Sequence, residues 1–60
     1  MKILVVYNYV YRGISGFGHI EWIIAGREPT SYEIETIEES VKETYDFYSV
    51  KVVNIIPLAG

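Results

Sequence analysis

Cysteine is absent from this chain of 60 residues, which excludes disulfides and thiolate metal sites. Histidine occurs once, at His19, so a conventional zinc site has too few ligands. Positive charge is scarce: five basic side chains face eight carboxylates, for a net charge of −3. Nucleic-acid affinity depends on clustered Lys and Arg, so that balance argues against a phosphate-binding surface. Long hydrophobic runs are missing too. The longest is Ile3–Tyr7, far short of the about 20 residues a membrane helix needs. Lys2 followed by that run has the start of a signal peptide. The run soon meets Asn8 and Arg12, however, and no small-residue cleavage site follows, so the expectation is a cytoplasmic protein with no membrane partner.

Half of the residues are apolar and six are tyrosines, too hydrophobic a composition for disorder. The expected organisation is one small domain over residues 1–60. A chain of this length buries only about 60% of its unfolded surface and usually needs a staple. With disulfides and thiolate metals excluded, association with a second copy is the staple that remains.

Lys2–Tyr11 reads as a strand from its β-branched and aromatic content. Ile3, Val5, Tyr7, Tyr9 and Tyr11 share one face, and Leu4, Val6 and Val10 share the other. Apolar residues on both faces predict cover on both. Arg12–Gly16 has turn residues, and Phe17–Ala25 resumes as a second strand, so the two form a hairpin. In that strand Phe17, His19, Glu21 and Ile23 alternate with Ile20, Trp22 and Ile24.

Gly26–Pro29 breaks the pattern, after which Thr30 and Ser31 are N-cap candidates, and Glu33 completes a capping box with Thr30. Ile34, Ile37, Val41 and Tyr45 make the apolar stripe of a helix ending near Asp46, with Glu35, Glu39, Glu43 and Asp46 on its far side. Glu38 and Lys42 have the spacing of an i,i+4 pair. Tyr48–Leu58 is a third strand, and Pro57 suits an edge before a short tail.

The predicted fold is α+β with order ββαβ: a three-stranded sheet, order 2-1-3, with a single helix on one face. The third strand runs parallel to the second and the crossover is right-handed. One helix covers one face, so the expected state is a homodimer. Leu4, Val6, Val10 and Trp22 are candidate interface residues, with either face of the first strand still open as the contact. Covering a few hundred Å² per chain is worth roughly 5–10 kcal/mol before association costs.

Groups that carry chemistry are few. The run Gly13-Ile14-Ser15-Gly16-Phe17-Gly18 has the glycines of a phosphate loop, but it joins two strands, with no helix N-terminus and no lysine after it. A structural hairpin explains it better. His19 and Glu21 share a face, yet no nucleophile stands in a recognisable context beside them. The expectation is a protein that is not an enzyme, with no catalytic residue, metal or cofactor. Tyr7, Tyr9 and Tyr11 form a row that stacks bases in some single-strand-binding modules, but the acidic charge favours core or interface packing.

Two surfaces remain for a partner. Six of the eight carboxylates lie between Glu33 and Asp46, with Lys42 the only cation among them. Glu35, Glu39, Glu43 and Asp46 thus suit a basic protein surface. The other candidate is a hairpin tip carrying Ile14 and Phe17.

The tyrosine-rich first strand, the Gly16-Phe17-Gly18 entry to the second, the Ser31-Tyr32-Glu33 helix start and the closing Val52–Ile56 run together resemble very small ββαβ proteins of phages and prophages of Gram-positive bacteria. Among these the Hachiman anti-defence type is the most similar in size and style. That resemblance implies a phage-encoded homodimeric inhibitor, acting in the host cytoplasm, that binds and blocks a bacterial anti-phage defence protein. The alternatives are a small nucleic-acid-binding module using the sheet aromatics, or a structural or regulatory phage component.

Overall fold

The computed structural model describes residues 1–58; the tail expected after Leu58 lies outside the described residues. Strand β1 (Lys2–Tyr11) runs into β2 (Ile14–Ile23), helix α1 (Ser31–Tyr45) follows, and β3 (Ser49–Pro57) closes the chain. The sheet order is β2-β1-β3, with β1 antiparallel to both neighbours. Strands β2 and β3 therefore run in the same direction, as the returning helix requires. No described helix is long and apolar enough to cross a membrane.

The hairpin turn is shorter than the glycines and serine of the sequence led us to expect. It consists of Arg12 and Gly13 alone, both in the left-handed region at φ 49° and 79°. Two such residues give the tight turn whose twist matches that of the flanking strands. Ser15 and Gly16, assigned to the turn, instead pair with Val10 and Tyr9. The second strand correspondingly ends at Ile23 rather than Ala25, although Ile24 still exchanges backbone hydrogen bonds with Met1 at 2.8 and 2.9 Å.

The glycines of β2 have a packing reason. A β-carbon at Gly16 would lie 2.6 Å from the Tyr9 hydroxyl, and one at Gly18 would lie 2.6 Å from that of Tyr7. Tyr-x-Tyr on β1 thus lays its rings across Gly-x-Gly on β2.

Thr30 caps α1 as expected. Its Oγ1 accepts from the Glu33 N–H at 3.1 Å, while Glu33 Oε1 accepts from the Thr30 N–H at 3.0 Å. Glu33 Oε2 also accepts from the Ala25 N–H at 3.3 Å, tying the helix start to the end of β2. These donors, the Thr30 N–H foremost, hold the Glu33 carboxyl below the usual carboxylate range. Asp46 is the C-cap in the left-handed conformation at φ 56°, which Asp tolerates better than most side chains.

The core lies between α1 and one sheet face. It comprises Ile3, Val5 and Tyr7 of β1, Ile24 just past β2, Ile37 and Val41 of the helix, and Val50 of β3. Phe47, just past the helix, stacks on Tyr9 at 4.4 Å between ring centroids and on Tyr45 at 5.3 Å. Burial, then the neighbouring Tyr45 and Tyr9, push the Tyr7 hydroxyl pKa upward.

Beside this core, β3 carries a bulge. Asn54 faces Val6 and Val52 faces Tyr7, leaving Val53 as the extra residue. Glu38, expected to pair with Lys42, instead accepts the Val52 N–H at 2.9 Å. The Ile55 N–H donates to the Asn54 side chain at 2.9 Å. Two backbone donors of this edge strand are thus occupied by side chains, which blunts it against further pairing.

Candidate functional site

Which face of β1 the helix covers follows from the alternation of its residues. The Ile3, Val5, Tyr7 and Tyr9 row packs beneath α1, so the Leu4, Val6 and Val10 row faces away from it. The register carries this second face across the sheet. Phe17, His19, Glu21 and Ile23 stand opposite Asn8, Val6, Leu4 and Lys2 on one side. On the other, Ile56 pairs with Leu4 and Lys51 with Asn8, while the bulge places Val53 next to Asn54. Phe17 is 72% exposed and Ile23 73%, with Val53 and Ile56 exposed as well. Leu4, Val6 and Val10 are half-buried only by these neighbours. A shallow hollow of about 230 Å³ opens among Leu4, Val6, Phe17, Gly18 and His19.

Polar groups on this open face are sparse and partly engaged. Lys2 Nζ lies 3.4 Å from Glu21 Oε1. Asn8 Nδ2 donates to Ser15 Oγ and to the Gly16 carbonyl, both at 3.1 Å. Glu21 shares a face with His19 as expected, but its ion pair is with Lys2. Among the described residues no group of three or more His, Asp or Glu side chains is placed to hold a metal ion.

Two residues proposed from the sequence sit elsewhere than expected. Trp22 pairs with Ile3 and packs against the core on the helix side, so it does not share a face with Leu4, Val6 and Val10. Ile14 pairs with Tyr11 on that same helix side, whereas Phe17 is on the open face. Both are highly exposed, but the hairpin does not join them into one tip. Their parity in the chain had already separated them, since residues three apart on a strand point to opposite faces.

The second surface is the outer side of α1. Glu35, Glu39 and Glu43 follow one another at four-residue intervals and are all exposed. With Tyr32, Thr36 and Ser40 they line a shallow groove of about 410 Å³. Thr36 and Thr44 donate their hydroxyls back to the helix carbonyls of Tyr32 and Ser40 at 2.9 and 2.7 Å, leaving the carboxylates as the outward polar groups. Asp46 is exposed at the end of the helix, where its first role is the cap.

Sequence reasoning missed Ile23 and Ile56 as members of the open face, although the two-residue alternation from Leu4 and Phe17 is the signal for both. The tyrosine row lies largely inside: Tyr7 is buried and Tyr9 is covered by Phe47, leaving Tyr11 partly open beneath the Arg12 guanidinium at 5.2 Å. No family model, curated protein or solved structure compared with the chain matches it.

Proposed function

We propose that this chain is a non-catalytic interaction protein that works as a homodimer, is encoded by a phage, and binds and blocks a bacterial anti-phage defence protein in the host cytoplasm. The observation that carries the interaction part is the exposed carboxylate row Glu35, Glu39 and Glu43 along α1, none of which is in an ion pair among the described residues. Like charges on one helix repel, and a basic protein surface is the partner that gives them a use. The inhibitor part rests on the resemblance to small phage anti-defence proteins.

In a dimer the row is displayed twice, which raises avidity where the target's sites match the spacing. The alternative of a nucleic-acid module has less support, because Tyr7 is buried and Tyr9 is stacked on Phe47 rather than open to a base. The test is capture of one host protein by the wild type and by the triple variant Glu35→Lys, Glu39→Lys, Glu43→Lys. The variant is expected to keep its circular dichroism and dimer mass and to lose the target. Undiminished capture would remove the acidic face from the proposal. Salt-dependent binding of single-stranded DNA or RNA without protein capture would replace the inhibitor by the nucleic-acid module.

A further inference from the structure

The open face of the sheet bears Phe17 and Ile23 at more than 70% exposure on β2 and the exposed Ile56 on β3, around a half-buried centre of Leu4, Val6 and Val10. The chain exposes 4430 Å², about a tenth more than the roughly 4,000 Å² expected of a compact 6.9 kDa monomer. We infer that a second copy of this chain covers this face, the two sheets stacking face to face into a helix–sheet–sheet–helix sandwich. The inference rests on the homodimer reading above and gives it an interface.

Area and charge both select a second copy. Three strands at about 4.8 Å spacing and about 30 Å length span about 400 Å² in plan. That is close to the roughly 500 Å² per partner at the lower bound of a specific interface. Each chain has a net charge of −3, so two copies repel unless they meet where the negative charge is lowest. The open face offers that place. Among the described residues its charged groups are Lys2, Lys51 and Glu21, two cations against one carboxylate, and Lys2 already pairs with Glu21. Stacked this way, the Glu35, Glu39 and Glu43 rows lie on the two outer layers, as far apart as the assembly permits. His19, opposite Val6, falls near the middle of the contact.

An isologous contact of this kind closes on itself. The bulge and the side-chain caps on β3 work in the same direction, because they discourage growth at that edge. Face stacking then gives a dimer and not a fibre.

The test compares three single variants with the wild type by light scattering and by dilution in native mass spectrometry. Phe17→Glu and Ile23→Glu alter side chains that are exposed in the single chain, so circular dichroism should not change. Each should raise the dimer dissociation constant by about tenfold or more, since a carboxylate would be buried without a partner. Ile14→Glu is the control: it is 70% exposed but on the helix side, and should leave the dimer intact. A wild-type mass of 6.9 kDa at micromolar concentration would overturn the homodimer itself, and with it this interface. A dimer indifferent to Phe17→Glu and Ile23→Glu would keep the homodimer and overturn the face. Dissociation by Ile14→Glu as strong as by Phe17→Glu would overturn it too, placing the contact along the β2 hairpin. Target capture is read separately, so loss of the inhibitor reading leaves these outcomes unaffected.

Discussion

At Gly18 a single methyl group would meet the oxygen and ring of Tyr7, with contacts of 2.6 to 2.9 Å. Tyr7 is buried in the core and cannot swing away, whereas Tyr9, over Gly16, is only half-buried. Gly18→Ala is therefore expected to destabilise by about 1–3 kcal/mol, with Gly16→Ala milder, as overpacking against a fixed side chain requires. Urea denaturation of the two variants checks the order, and equal losses would contradict the account of Tyr7 as the fixed partner. Glu33 makes a second residue-scale prediction. Its folded pKa is depressed, so its contribution is present above the unfolded value and is lost as pH falls through the folded one. Thr30→Ala should cost about 1 kcal/mol near neutral pH. Glu33→Gln should flatten the acid limb of the stability curve, measured by denaturation between neutral pH and the acid range.

Among the elements, β3 is an edge strand supported by a side chain of another. Its outer edge is guarded by Glu38, which reaches from α1 to the Val52 N–H. Glu38→Ala should lower stability by about 1 kcal/mol, through loss of a hydrogen bond to a charged acceptor at a partly exposed site. It should also speed hydrogen exchange at Val52; unchanged exchange there would mean that the carboxylate does not guard the edge. The contrast between elements explains what the sequence could tell in advance. Helix α1 was legible because the Thr30–Glu33 box and the Ile34, Ile37, Val41 stripe are local signals. The order β2-β1-β3 is legible because both faces of β1 are apolar, while Lys51, Asn54 and Pro57 mark β3 as an edge. The turn was not, because Ser15 and Gly16 have turn-forming chemistry, and only the rings of Tyr7 and Tyr9, brought alongside by pairing, explain why glycine stands in a strand. The bulge at Val53 and the use of Glu38 on β3 also depend on tertiary contacts that no periodicity records. For the candidate site, the acidic row was readable from helical spacing. Ile14 and Phe17 are near in sequence, but strand parity sends them to opposite sides.

Charge on the whole molecule separates the two associations proposed for it. Two chains of −3 each repel at long range, and the apolar contact between open sheet faces has to overcome that repulsion. Added salt screens it: the Debye length falls from about 30 Å at 0.01 M to about 3 Å at 1 M, against a radius of gyration of 11.5 Å for one chain. The homodimer should therefore tighten, or at least hold, as salt rises. Capture of a basic target by Glu35, Glu39 and Glu43 depends on attraction between opposite charges, and the same salt should weaken it, chiefly through a slower association rate. Analytical ultracentrifugation and surface-binding kinetics over one salt series measure both. Opposite slopes are the expected result. A target complex that strengthens with salt would shift its contact from the acidic helix to an apolar surface, and a homodimer that dissociates with salt would mean that its interface is held by ion pairs rather than by the Leu4, Val6, Phe17 and Ile23 face.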